Sequence, residues 1–222
     1  MLTRADGQLV ESALPPGHLR ELARRGAVRR YRKGLLLIQE GDVGDTLYVV
    51  LEGRLKAFSE DLDGRELVYG LYGPNELIGE MSLDGGLRSA CVCVMEPAAC
   101  AVVRRDEVRR YVADQPEFAF ELLSLVIARA RQATESARRL ALLNVYERMA
   151  KLLESLAAVG EGDGAGNGKG RRLPRLTQQE IAGRIGASRE MVSRVMKELV
   201  AGGYLELGER EMVLKRALPA DW

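Results

Sequence analysis

Between residues 35 and 103 the apolar positions come in short runs, 35–39, 46–51, 54–58, 66–71, 90–95 and 99–103. Turn chemistry closes them, as in Glu40-Gly41-Asp42, Glu52-Gly53, the stretch 61–64 and Tyr72-Gly73-Pro74-Asn75. Many short strands at this spacing predict a sandwich, jelly roll or small barrel. A short amphipathic helix is expected ahead of them, over 16–25. At Pro116 the period changes. Ala119, Leu123, Val126, Ala130, Ala133, Ala137, Leu140 and Asn144 recur at alternating spacings of four and three, and neither Gly nor Pro returns before Gly160. That is the a/d seam of a long helix. Its alanines let a second helix approach closely, and a seam of this length needs a partner along its extent. A second copy of the chain fits that need better than burial against the chain's own sheet. A hinge is expected at 142–145 and a further helix over 146–158. The stretch 160–170 holds six glycines and reads as a flexible loop.

The last fifty residues follow a different grammar. Thr177-Gln178-Gln179-Glu180 is a capping box, so a helix starts there. Ile181, Ala182 and Ile185 give it an apolar face, Gly186 breaks it, and Ser188 can cap a second helix running to about Val200. Val192, Val195, Met196 and Leu199 form the buried stripe of that second helix. Arg189, Glu190, Ser193, Arg194 and Lys197 are left outside. Arg can fork two donors onto guanine and Glu can accept from cytosine, whereas Ser and Lys suit phosphates. The bland alternative is a three-helix domain with a charged solvent face. Residues 204–207 and 212–215 read as a hairpin wing. The fold class is therefore α+β, with a β-roll (jelly roll) over 1–114, a dimerisation helix and hinge over 115–145, and a winged helix-turn-helix over 146–222.

Composition adjusts this picture only slightly. The formal charge of +1 conceals ten Lys or Arg against seven Asp or Glu over 171–222, a bias whose sign suits a phosphate backbone. Cys91, Cys93 and Cys100 lack a C-x-x-C spacing and read as reduced core residues rather than a redox site. His18, the single histidine, has no cluster beside it that would complete a metal site, and a surface or cap role is expected. No run of about eighteen apolar residues occurs, and the first residues carry no apolar leader, so a soluble, cytoplasmic protein without a membrane partner is expected.

Two short strings carry the remaining chemistry, Gly79-Glu80 and, eight residues on from Glu80, Arg88-Ser89-Ala90. A cyclic nucleotide presents one negative phosphate, a ribose hydroxyl and a flat base. Arg88 can fork onto the phosphate, Ser89 and backbone N–H groups around Gly79 can add donors, and Glu80 can accept from the 2′-hydroxyl. The alternative is that Glu80 and Arg88 simply pair with each other.

Taken with Gly41 to Gly53 and Thr177 to Leu199, these strings resemble the cyclic-AMP receptor protein and fumarate-nitrate regulator superfamily of bacterial transcription regulators over almost the whole chain. The resemblance implies double-stranded DNA as a partner, with a TGTGA-like palindrome read by Arg189, Glu190 and Arg194, and Thr177, Gln179 and Ser188 at phosphate-contacting positions. It implies cyclic AMP (cAMP) as the effector, no enzymatic activity, and RNA polymerase as a further partner. The polymerase-contacting loop of the family falls at 160–170, whose text shares nothing specific with it. Aligning 140–145 with the hinge of the family places Ala133 and Thr134 where a Thr-Ser pair touches the base, so one hydroxyl is kept and one lost. Arg129 falls where the arginine of the family pairs with the cassette glutamate. A relative that has lost nucleotide control, or that answers to cyclic di-GMP, is the nearest rival. An iron-sulfur sensor, a haem sensor and a metal-dependent hydrolase of cyclic nucleotides all lack the cysteines or histidines they need. A scaffolding protein without DNA function would leave Arg189, Glu190 and Arg194 unused.

Overall fold

The computed structural model describes residues 16–159 and 170–219, so the expected glycine loop lies outside the described residues except for Gly170. Among them the chain divides into two compact units, 16–59 with 69–134 and 60–68 with 135–219.

The described chain opens with α1 (Pro16–Arg24) and continues through β1 (Ala27–Tyr31), β2 (Leu36–Ile38), β3 (Thr46–Glu60), β4 (Glu66–Tyr72), β5 (Leu77–Ile78) and β6 (Cys91–Arg104), of which all but Glu60 and 66–68 fall in the first unit. The sheet order is β1-β6-β3-β4, with β2 on β6 and β5 on β3. The β-rich reading holds, but two expected pairs of strands are single long ones. β3 passes through Gly53 with register shifts against β6 on both sides of it. Gly53 sits at φ 81, and a Cβ there would stand 2.3 Å from the Pro97 carbonyl oxygen. The glycine that looked like a turn is a bulge, needed both for its left-handed backbone and for close approach to the opposite strand. Pro97 sits opposite it, where the ladder is already broken. The strand pair β3 and β6 separates two cores. Leu47, Val49, Ala101 and Val103 face Leu19, Leu22, Val108, Tyr111, Phe118 and Leu125. Val50, Leu55, Val94 and Cys100 pack with Ile38, Tyr72 and Ile78 on the other side.

α2 (Arg105–Asp114) follows β6 and leads to α3 (Glu117–Leu142). Phe118 and Leu125 anchor α3 in the core, while Leu123, Val126, Ala130, Ala133, Ala137 and Leu140 of the seam are exposed and Ala119 is half-buried. Asn144 does not belong to that helix. It caps α4 (Val145–Val159), its Oδ1 accepting from the Glu147 N–H at 2.9 Å while its own N–H donates to Glu147 Oε2 at 2.7 Å. The hinge is therefore a capping box, and the seam ends with the helix at Leu142.

The second unit adds β7 (Arg171–Pro174), α5 (Gln178–Ile185), α6 (Arg189–Ala201), β8 (Leu205–Leu207) and β9 (Glu211–Leu214). Its core gathers Met149, Leu153, Ile181, Val192, Leu199, Leu205 and Met212. The expected wing is present as β8 and β9, with β7 added in the order β7-β9-β8. No helix among the described residues is long and apolar enough to cross a membrane.

Candidate functional site

Gly79 ends β5 at φ 93 and starts one turn of 3-10 helix, Glu80–Ser82. A Cβ on Gly79 would lie 2.7 Å from Arg88 Nη1, and one on Gly44 would lie 2.8 Å from Arg88 Nε. The two glycines are the walls of a slot that holds the Arg88 guanidinium, and a side chain on either would fill it. The turn at Gly41 and Asp42 fixes the backbone of Arg88, whose N–H donates to Asp42 O at 2.8 Å and whose carbonyl accepts from Gly41 N–H at 2.9 Å. Inside the slot Arg88 Nη1 donates to Ser82 Oγ at 2.9 Å and Gly79 O at 3.3 Å, and Nη2 donates to Thr46 Oγ1 at 2.9 Å. Arg88 is 8 % exposed, and among the described residues no carboxylate pairs with it. A buried cation held only by neutral acceptors lacks the counter-charge that normally accompanies such a group.

Glu80 is buried and turns the other way. Its carboxylate pairs with Arg129 of α3, not with Arg88. The simple Glu80–Arg88 pair is therefore ruled out, and the anticipated neighbour of Glu80 is the one present. Arg129 also donates to the Leu77 carbonyl at 2.6 Å. Ser89 is exposed and Ala90 half-buried beside Arg88. Ala133 and Thr134 are exposed on α3, and the Thr134 hydroxyl donates to Ala130 O at 3.0 Å, so neither enters the hydrogen bonds of the cassette. Thr46, Ser82 and Gly44 were not anticipated. Their signal is weak because they lie in two segments, 44–46 and the turn at Ser82, that meet only in the folded sheet.

No group of three or more His, Cys, Asp or Glu that could hold a metal ion occurs among the described residues. His18 is neither a surface nor a cap residue. It is half-buried, with Nδ1 2.8 Å from the Tyr111 hydroxyl, which donates to Glu21 Oε2 at 3.1 Å, and its ring stacks near Phe118. Burial pushes the Tyr111 phenol up to about 12, so this junction of α1 with α2 and α3 keeps a neutral hydroxyl at any physiological pH. Cys91 and Cys100 are buried and Cys93 half-buried, and none of the three is joined in a disulfide among the described residues, in keeping with reduced thiols.

In the second unit Thr177 Oγ1 accepts from the Glu180 N–H at 3.1 Å, and the Thr177 N–H donates to Glu180 Oε2 at 2.7 Å. Gly186 ends α5 at φ 61, where a left-handed residue is required. Ser188 Oγ accepts from the Met191 N–H at 3.2 Å and starts α6. Val192, Val195, Met196 and Leu199 are buried. Arg189, Glu190, Arg194 and Lys197 are exposed and Ser193 half-buried, and together with Gln178 and Glu198 they line one open groove. Thr177 and Gln179 are exposed at the start of α5. The backbone N–H of Glu190, then the Ser188 hydroxyl, hold the Glu190 carboxyl below its ordinary range, which keeps it an acceptor. Gln178 was missed because the capping box accounts for its neighbours and leaves it without a distinguishing pattern.

Comparison with known proteins gives both halves a place. The cyclic nucleotide-binding domain family matches residues 28–115, and the Crp-like helix-turn-helix domain family matches residues 147–217. The chain belongs to the family of CRP-like transcription regulators. It is 31% identical over 186 residues to the CRP-like cAMP-activated global transcriptional regulator of Mycobacterium tuberculosis, covering 83% of this chain and 82% of that one. It is 32% identical over 190 residues to the cyclic AMP receptor protein of Thermus thermophilus, covering 85% and 84%. Among solved structures, the cyclic di-GMP responsive global regulator Clp of Xanthomonas campestris superposes with a TM-score of 0.79 at 28% identity, over 90% of this chain and 99% of that one. The protein is thus a DNA-binding regulator of the CRP-like family with a cyclic nucleotide-binding domain, not an enzyme.

Proposed function

We propose that this regulator is a cytoplasmic homodimer controlled by cAMP, which binds the cassette and favours the state that reads a TGTGA-like palindrome. The observation that carries the effector reading is Arg88, a buried guanidinium with neutral partners only. One phosphate bearing one negative charge supplies what the slot lacks. Gly79 and Ala90 let the backbone approach, Ser89 offers a hydroxyl and an N–H, and Glu80 retains acceptor capacity for the 2′-hydroxyl beside its pair with Arg129. Ala133 and Thr134 would meet the base from the α3 side.

The exposed apolar residues Phe120, Leu123, Val126, Ile127 and Leu140 on α3 support dimerisation through that helix. A two-fold dimer presents two copies of α6, and the operator then carries matching symmetry. Arg189, Glu190 and Arg194 contact base edges, while Thr177, Gln179, Ser188, Ser193 and Lys197 position the backbone. In this reading 1–114 senses, 115–145 dimerises and transmits, and 146–222 reads DNA and presents the dimer to RNA polymerase.

Cyclic di-GMP is the second reading. It is favoured by the likeness to Clp across most of both chains and by Ala133, which cannot give the base a hydroxyl. Isothermal titration of cAMP, cyclic GMP and cyclic di-GMP into the protein and into Arg88→Ala separates the two. Micromolar binding of cAMP that disappears in the variant supports the first reading. Binding of cyclic di-GMP alone replaces it with the second, and the absence of any binding removes both.

A further inference from the structure

The ion pair between α3 and the cassette rests on an aromatic floor. Arg129 donates to Leu77 O and pairs with Glu80, but its Nε is buried without a hydrogen-bond acceptor. Hydrogen bonds on one edge leave the plane of a guanidinium free to tilt about that edge. Its central carbon stands 5.0 Å from the centre of the Tyr72 ring. An aromatic face attracts the cation through its quadrupole and constrains that plane, which the remaining contacts do not.

Tyr72 can lie there because of Gly70. A Cβ on Gly70 would stand 2.8 Å from the Tyr72 hydroxyl oxygen and 3.0 Å from Cζ, so the ring occupies space that any other residue would fill. Tyr72 is 8 % exposed, and its hydroxyl forms no hydrogen bond among the described residues. The ring rather than the hydroxyl is therefore the working part.

We propose that Tyr72 is a positioning residue whose ring, seated in the space left by Gly70, holds Arg129 against Glu80 and ties α3 to the cassette. The clasp stands without ligand, while its regulatory consequence rests on the nucleotide reading above. Residues 77–83 and the anchoring turn of α3 move as one body when the ring is present. Without it the guanidinium keeps its partners only part of the time, and an event in the cassette reaches the helix weakly.

The test uses the full chain with Tyr72→Phe, Tyr72→Leu and Gly70→Ala. Hydrogen exchange over 77–83 is measured without ligand, and the gain in DNA affinity on adding cAMP is measured beside the direct affinity for cAMP. Tyr72→Phe keeps the ring and is expected to match the parent in every readout. Tyr72→Leu is expected to speed exchange about fivefold and to cut the cAMP-induced gain by a similar factor, with the direct cAMP affinity much less affected. Gly70→Ala displaces an unaltered ring and is expected to act in the same direction, which keeps the test open if Tyr72→Leu folds poorly. In an Arg129→Gln background, Tyr72→Leu is expected to add nothing. Unchanged exchange in both Tyr72→Leu and Gly70→Ala overturns the clasp, as does full additivity with Arg129→Gln. If the parent binds no cAMP, the nucleotide reading fails, and the ligand-free exchange still decides the clasp.

Discussion

Arg88 brings a full positive charge into a slot lined by two hydroxyls, a carbonyl and the bare Cα positions of Gly44 and Gly79. An anion that binds this slot in the folded state stabilises that state by mass action, by about 2.7 kcal/mol at a hundredfold excess over its Kd. Calorimetric melting in excess cAMP is expected to show an upward shift in Tm for the parent and none for Arg88→Ala. A shift that survives in the variant would place the ligand elsewhere. Cys100 provides a separate check on the core. Burial pushes its thiol up to about 11, so almost no thiolate exists near neutrality, and its reaction with iodoacetamide is expected only after unfolding. Rapid native labelling of Cys100 would contradict the packing of β6 between its two cores.

The elements that the sequence made legible were those with local signals. Thr177 with Glu180, Gly186 and Ser188 are contiguous in the chain and announce α5 and α6 through backbone chemistry alone. β1 was missed because four of its five residues are exposed, so Ala27–Tyr31 lacks the apolar alternation of a half-buried strand. β7 hides in the same way, since only Leu173 of Arg171–Pro174 is buried. Gly53 and Pro97 looked like strand ends because their bulge is defined by the opposite strand, which no local window contains. Likewise Gly79, Glu80 and Arg88 were readable as strings, whereas Thr46 and Tyr72 join them only once the strands that carry them pair, and Ser82 meets Arg88 only in the folded turn.

Asn144 illustrates the same limit and gives a test. The heptad count assigned it to the seam, but it caps α4 reciprocally with Glu147. Asn144→Ala is expected to lower the stability of the protein by about 1 kcal/mol, the usual worth of an N-cap, measurable by urea unfolding. A negligible change would mean that α4 does not depend on this cap. The exposed seam of α3 is tested by Ala130→Glu, which puts a charge where two helices would meet. Sedimentation is expected to show a dimer for the parent and a monomer for the variant. A parent that sediments as a monomer would contradict the dimer outright.

For the molecule as a whole, two units with separate cores share α3, whose residues up to Thr134 belong to the first unit and the rest, with the capped hinge and α4, to the second. A ligand that binds the first unit changes DNA affinity only as far as it distinguishes the DNA-competent state from the other. By linkage, DNA must then tighten ligand binding by the same factor. This reciprocity separates a regulated switch from two domains that happen to share a chain. The most direct measurement is fluorescence anisotropy of a TGTGA-palindrome duplex titrated with the protein at fixed salt, with and without saturating cAMP. cAMP is expected to tighten binding at least tenfold in the parent and to leave Arg88→Ala at the ligand-free affinity. Equal affinity with and without cAMP, in a protein shown by titration to bind it, would contradict control of DNA binding by the cassette.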